Sequence, residues 1–322
     1  MDIDAQAVEV SKLSLLLKVL EGETDQSLSL GLLPFSERAL PNLANNIKCG
    51  NSLIGPDYFT CKLLIDPEEM NPVNPFEWSQ GFPAAMKAGG FDCIIGNPPY
   101  IRVRTFKDMH PGQAEYLEAN YRCAVHVWDI YLLFLEQAVR LTRQEGAISF
   151  IVPIQTLHQP NCERLRRYLL QNTRIHELAD LSRLKVFEGA IVKNCILTCV
   201  KSDRRKGTIR IRVPETPNEL STGRVTRWPQ AKVMGNPGLS FKIEMLSPIR
   251  NLCEKLRKRS WRLNELCYST FGLRSCAKGK GQGGKERLIT TNSAAKNAKP
   301  YLEGRDIKRY AIYPTNLFIR YF

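Results

Sequence analysis

Residues 91–100 read Phe-Asp-Cys-Ile-Ile-Gly-Asn-Pro-Pro-Tyr, and this stretch constrains the fold more than any other. A short apolar run closed by turn residues reads as a buried strand. Proline carries no amide hydrogen and fixes φ near −65°, so Pro98-Pro99 cannot continue a ladder. The strand therefore ends at Gly96, and Asn97 to Tyr100 form a stiff loop at its carboxyl end.

The neighbouring segments supply the rest of a sheet. Residues 5–20 read as a helix with Asp4 as N-cap. Residues 21–42 are loop-like, Ile47-Lys-Cys leads into a Gly-Asn-Ser turn at 50–52, and a polar, Pro-containing connection spans 55–90. Trp128–Thr142 repeats apolar residues at helical spacing and is closed by Glu145-Gly146. Ala147–Val152 is a buried strand stopped by Pro153. A helix (163–171) and strands near 175–181 and 191–200 follow. This alternation predicts an open α/β sheet with helices on both faces. Ligands of such sheets bind at the carboxyl ends of the strands, where Asn51 and Asn97 both fall. Beyond residue 201 charges and turns dominate, and Gly279-Lys-Gly-Gln-Gly-Gly284 interrupts any regular element. The expected organisation is a catalytic domain over 1–200, a connecting region over 201–240 and the start of a second domain over 241–322. The last residues, Leu317–Phe322, read as a strand with nothing beyond to pair it.

Charge is distributed unevenly. Residues 201–322 hold 27 Lys and Arg against 9 Asp and Glu, whereas residues 1–200 hold 19 against 23. A near-neutral front with a basic back suits an enzyme core carrying a polyanion-binding extension. Hydrophobic residues at 43% and charged residues at 24% exclude a disordered chain. No apolar run approaches the ~18–20 residues that span a bilayer, and the N-terminus opens with acids instead of a basic signal region. A cytoplasmic protein with no membrane partner is expected. The ten cysteines form no Cys-x-x-Cys and no zinc-finger spacing, so reduced, buried thiols and no metal site are expected.

The loop at 97–100 carries chemistry. A conjugated amino nitrogen is a poor nucleophile because its lone pair is delocalised into the ring. The Asn97 side-chain oxygen and the Pro98 carbonyl can accept both amino hydrogens and favour a tetrahedral nitrogen with its lone pair available. Pro98 and Pro99 hold these acceptors in place, which is electrostatic preorganisation. Tyr100 offers an aromatic face to a base rotated out of a duplex. No covalent intermediate or general base is required.

Several segments in order, Asp2-Ile-Asp4, Cys49-Gly-Asn-Ser52, Phe91–Tyr100, Trp128-Asp-Ile-Tyr131, Gly146–Pro153 and Val186-Phe-Glu-Gly189, resemble the N6-adenine DNA methyltransferases of bacterial restriction-modification systems. The resemblance covers residues 1–200 and is closest to single-chain enzymes that both cut and methylate. Trp261-Arg-Leu-Asn-Glu-Leu and Tyr301–Tyr310 resemble the opening of that family's target-recognition domain. The resemblance implies a Rossmann-like class I methyltransferase fold, S-adenosylmethionine as cofactor and double-stranded DNA as partner. It implies that Asp2, with Ile3 beside it, holds the cofactor's ribose hydroxyls. Asn51 and Ser52 contact the cofactor's adenine, Asn97 serves cofactor and substrate, and Phe187 packs against the flipped base. Lys278, Lys280 and Lys285, spaced by glycines, are open to two readings: phosphate contacts or a solvated loop.

Asn-Pro-Pro-Tyr also resembles the loop of methyltransferases acting on a glutamine amide or on guanine in RNA. The basic extension favours DNA over both. A non-catalytic DNA-binding remnant is a further alternative, because the family's glycine-rich cofactor loop, which lies upstream of the acid at Asp2, is not in this sequence. The upstream segment, and any fused nuclease domain, are expected on a longer protein. The 322-residue polypeptide is accordingly expected to bind S-adenosylmethionine weakly or not at all. Isothermal titration checks this, and micromolar binding contradicts it.

Overall fold

In the computed structural model the run before the two prolines forms β1 (Phe91–Gly96). The structure describes residues 1–21, 43–60, 73–187, 192–204 and 207–241. In the C-terminal part it describes 252, 255–256, 258–261, 263–266, 289–294, 297–302, 304–309, 311–313 and 316–320. The chain divides into two units, Met1–Arg250 and Asn251–Phe322.

The N-terminal unit opens with α1 (Ala5–Leu20), capped as expected by the Asp4 carboxylate, which accepts from the Gln6 amide. After β1 come α2 (Val103–Met109), α3 (Pro111–Asn120) and α4 (Ile130–Leu141). Then follow β2 (Thr142–Pro153), α5 (Glu163–Asn172), β3 (Thr173–Asp180) and β4 (Asn194–Lys201). The strands order β1-β2-β4-β3, with β5 (Thr208–Arg212) and β6 (Thr226–Pro229) added beyond β3. β1 and β2 pair in parallel, as do β3 and β5, whereas β4 runs antiparallel to both β2 and β3. The crossover through α5 skips one strand position, and β4 returns into that slot.

Both crossovers progress in the same direction across the sheet, so right-handed connections put α4 and α5 on one face. There Ile148, Phe150 and Val152 of β2 and Leu197 and Cys199 of β4 meet Leu133, Leu135, Leu165 and Leu169, all buried. Each such side chain contributes about 1.5–3 kcal/mol of burial. The expectation of helices on both faces is corrected among the described residues. Ile95, on the opposite face, is 81% exposed, and Cys93 is exposed instead of buried. In α1, Val8 is buried while Val10, Leu13, Leu15 and Leu17 are exposed.

Three other expectations are revised. The turn at Glu145-Gly146 lies inside β2, which begins directly after α4. Glu145 adopts φ 59°, and the register jumps from Phe91–Thr142 to Cys93–Ala147, so the turn signal marks a bulge. The connecting region at 201–240 supplies β5 and β6 to the same sheet. Phe241 is buried in that unit with its amide on the Leu157 carbonyl at 2.8 Å. The division thus falls at 250/251. The terminal strand Leu317–Arg320 does find partners: it lies between Ile289–Thr290 and Ala298–Tyr301, antiparallel to both.

One arginine of α5 fastens residues 237–241 to the segment 156–159 that follows β2. Arg166, 1% exposed, donates to the carbonyls of Gly238 (2.7 and 3.0 Å), Thr156 (2.9 Å) and Gln159 (2.8 Å). Arg166→Met leaves three carbonyls without their donor, and buried acceptors stripped of a charged donor cost about 1–3 kcal/mol each. The variant is expected to lose about 3 kcal/mol or more, seen as a lower urea midpoint by circular dichroism.

Candidate active site

The loop after β1 is set by two close approaches. A Cβ on Gly96 would lie 2.5 Å from the Phe150 ring, so only glycine lets β1 end flush against β2. Pro98 is buried, while Asn97 and Pro99 are exposed, which leaves the Asn97 carboxamide facing out from a fixed base. Tyr100 turns back toward the sheet. Its hydroxyl donates to the Ile151 carbonyl at 3.1 Å, and its ring meets Tyr131 edge-on at 5.8 Å and 77°. Burial pushes the Tyr100 phenol up to about 12.

The chain beyond Tyr100 is clamped to the start of α4. The Ile130 amide donates to the Ile101 carbonyl and the Val103 amide to the Trp128 carbonyl, both at 2.9 Å, around an Arg102–Asp129 bridge. Trp128 is fully buried, its indole N–H on Glu118 at 3.0 Å. Tyr131 is held by Thr156, whose Oγ1 donates to the Tyr131 hydroxyl at 3.1 Å. Sequence reasoning placed Trp128–Tyr131 in the series of motifs without giving these residues a task. Their aromatic-polar spacing at a helix start was the available signal.

A second cluster forms around Asp2. Asp2 pairs with Cys49 in a short parallel bridge, and the Gly50 amide donates to the Asp2 carbonyl at 2.8 Å. Gly50 has φ 154°, and a Cβ there would sit 2.8 Å from Phe76, so the turn requires glycine. The Asn51 amide donates to Asn74 at 2.6 Å, and Ile3, 48% exposed, accepts from the Asn74 side chain at 3.1 Å. The structure thus brings Asp2, Ile3, Asn51 and Ser52 together. Asp2 is exposed and one of its oxygens accepts from the Asp4 amide at 3.0 Å; the Asn51 oxygen accepts from the Leu53 amide at 3.0 Å. The Asn51 oxygen, expected to face a ligand, therefore already serves its own turn. The loop is hooked by Tyr121, whose hydroxyl donates to the Leu53 carbonyl at 2.8 Å, and by Tyr116, which meets the Gly55 amide at 3.3 Å and Asp57 at 2.7 Å. Burial and Asp57 push the Tyr116 phenol up to about 12.

Phe187 lies in the β3–β4 connection and is 37% exposed. Lys278, Lys280 and Lys285 lie outside the described residues. Among the described residues no group of three His, Cys, Asp or Glu is placed to hold a metal ion, and no helix is long and apolar enough to cross a membrane.

Comparison with known proteins adds the decisive observation: the model of the Eco57I restriction-modification methylases matches residues 1–187, more than half of the sequence. The chain belongs to the Eco57I restriction-modification methylase family. It is 28% identical over 196 residues to the type II restriction enzyme and methyltransferase RM.Eco57I of Escherichia coli, covering 61% of this chain and 18% of that protein. It is 26% identical over 131 residues to the type II methyltransferase M.HincII of Haemophilus influenzae, covering 40% of this chain and 26% of that one. The chain thus spans about a fifth to a quarter of the length of these relatives. Among solved structures, the type IIG restriction endonuclease BpuSI aligns with 64% of this chain and 26% of its own, at 18% identity and a TM-score of 0.38. Family membership and the mixed sheet agree on a Rossmann-like α/β methylase fold.

The tyrosines give the site a pH signature. Tyr100 and Tyr116 titrate at about 12 in the folded chain, against about 10 for an unfolded tyrosine. A folded-state pKa raised in this way favours the protonated phenol, so its contribution is complete below pH 10 and is lost as pH climbs to 12. The thermal midpoint is expected to fall across that window. Tyrosinate absorbance at 295 nm should rise together with unfolding, and midpoints constant from pH 10 to 12 contradict this.

Proposed function

We propose that the chain is the catalytic part of a site-specific DNA methyltransferase that transfers a methyl group to the N6 amino group of adenine in duplex DNA, within a restriction-modification or related phage-defence system. The observation that carries the reading is Asn97, exposed at the end of β1 on a base fixed by buried Pro98 and the Gly96–Phe150 approach. S-adenosylmethionine, when bound, supplies an electrophilic methyl on a sulfonium. Asp2 accepts hydrogen bonds from vicinal hydroxyls at the end of its short parallel bridge, and Ile3, Asn51 and Ser52 line the same turn. The exposed carboxylate and the apolar Ile3 beside it fit a ribose and its base.

On the substrate side, Asn97 and the Pro98 carbonyl accept the two amino hydrogens and sharpen the nitrogen's lone pair. An amine so held would attack a sulfonium methyl in line, its N–C bond forming as the S–C bond breaks and a thioether leaves, and its surplus proton would pass to water. Tyr100, fixed through Ile151 and Tyr131, and Phe187 hold the base that has left its stack. DNA as the partner is supported by the surplus of basic residues after 201 and by the family's restriction-modification character. Lys278, Lys280 and Lys285 are assigned to phosphate contacts. The segment 251–322 is assigned to the beginning of a target-recognition domain. An upstream segment or nuclease domain of the same system is the expected partner on the protein side.

In the protein completed by its upstream segment, Asn97→Ala is expected to lower methyl transfer at least ~100-fold, the scale on which one preorganised polar group acts, with duplex binding within a few-fold of the parent. Transfer of tritiated methyl to duplex DNA, RNA and a glutamine peptide, together with a gel-shift series, measures both. Activity surviving the substitution, or methyl appearing in RNA or peptide in preference to DNA, rejects the reading.

A further inference from the structure

The basic surplus after residue 201 is not confined to the second unit. Residues 201–241, which belong to the N-terminal unit, hold nine Lys and Arg against three Asp and Glu. Each of the three acids already has a partner. Asp203 accepts from the Gln144 side chain at 3.0 Å, Glu215 pairs with Arg183, and Glu219 accepts from the Glu215 amide at 2.9 Å. Arg224 and Arg227 are exposed, and neither forms an ion pair among the described residues.

The pairing of β5 with β6 concentrates the excess. Arg210 and Arg227 stand directly opposite each other on these antiparallel strands, so both side chains leave the same face. It is the face of Ile95, reached through Glu177, Thr198 and Ser149, and not the one covered by α4 and α5. Like charges set opposite one another destabilise a sheet. One carboxylate is at hand, and both of its oxygens are engaged: Glu177 Oε1 accepts from Arg212 Nε at 2.8 Å, and Oε2 lies 3.1 Å from Arg210 Nε, out of hydrogen-bond alignment. The strand carrying Arg227 is held in place. Trp228, paired with Ile209 on the other face, is buried, as is Ile209. The Gln230 amide donates to the Gly207 carbonyl and its side-chain oxygen accepts from the Ile175 amide, both at 2.9 Å.

We infer that Arg227 and Arg224, with Arg210 beside them, bind backbone phosphates of the duplex whose target base enters the site at Asn97. This rests on the proposed function and deepens it, because it gives the catalytic unit a DNA contact of its own outside the segment 251–322. Strands β1, β2, β3 and β5 run in one direction, so residues 213–225, which leave β5 and return as β6, lie at the same sheet edge as Asn97. Arg224 stands in that connection and Arg227 is the second residue of β6. With strands about 4.8 Å apart, β6 lies about 24 Å from β1. That distance is about seven steps of duplex at ~3.4 Å each, so one backbone can reach both places. A phosphate seated between two guanidinium groups turns their repulsion into charge-assisted hydrogen bonds, and the planar fork of arginine suits its oxygens. Such contacts set the register of the duplex and read no bases.

The test measures binding of a fluorescein-labelled 20-base-pair duplex of arbitrary sequence to the 322-residue chain by anisotropy, between 50 and 200 mM NaCl. Each phosphate contact contributes about 0.9 to the slope of log affinity against log salt. Arg227→Gln is expected to lower that slope by about 0.9, and Arg227→Gln with Arg224→Gln by about 1.8. Arg167→Gln on α5 removes the same charge from an exposed arginine already paired with Glu163, and is expected to leave the slope unchanged. A second readout is the melting temperature in low salt, expected to stay level or rise in Arg227→Gln because a like-charged neighbour is gone. A drop of several degrees means that Arg227 holds the fold, and overturns the inference. An equal fall in slope for Arg167→Gln and Arg227→Gln means that only net charge counts, and also overturns it. Duplex binding whose slope survives both substitutions sinks the inference alone. A parent chain that binds no duplex at 50 mM NaCl, or binds duplex RNA in preference to duplex DNA, sinks it together with the DNA reading.

Discussion

Two backbone hydrogen bonds, from Ile130 to Ile101 and from Val103 to Trp128, fix where the chain goes once it has left β1. Prolines can stiffen Asn97–Tyr100, but stiffness without an anchor only moves the loop as a block. The clamp supplies the anchor, and it ties the loop to a helix that is itself buried along most of its length. Because α4 also meets Tyr121 through Gln137 at 3.2 Å, the same helix braces the turn that holds Asn51. The two halves of the site thus share one support, although they come from residues nearly fifty positions apart.

Glu136 shows what this support costs in polar terms. It is fully buried and accepts from the Arg122 and Cys123 amides at 3.1 and 2.9 Å, with Arg140 at 2.5 Å completing the charge balance. Arg140 in turn lies over the Tyr121 ring at 4.5 Å. A buried carboxylate is tolerated only when its lone pairs are filled. Here they order the 121–123 turn, which positions the Tyr121 hook.

Much of this arrangement was legible before any coordinates. Period-3.6 patterns located α4 and α5, Asp4 announced the start of α1, and the prolines marked the end of β1. What could not be read were relations between segments. Nothing local in Asn194–Lys201 says that it slips between β2 and β3, because that order depends on which slot a crossover leaves open. Residues 208–229 were taken for a connection because charged side chains alternate with Ile209, Ile211 and Trp228, a pattern that fits a strand at the sheet's margin equally well. Glu145-Gly146 looked like a turn because a bulge needs the same residue types. At the site, Asn97 was visible because its chemistry is confined to four consecutive residues. Tyr121, and the task of Tyr131, were not, since their meaning lies in partners such as Leu53, Thr156 and Tyr100 that are distant in sequence.

Ile95 points outward from a strand whose other edge carries no neighbour in the six-stranded order, with Cys93 exposed two residues before it. Such an edge is a template on which extended backbone from another molecule can lie down, and an apolar side chain along it rewards the contact. Among the described residues this margin of β1 is left open to solvent, and the six-stranded order leaves it free for extended backbone to add as a further strand.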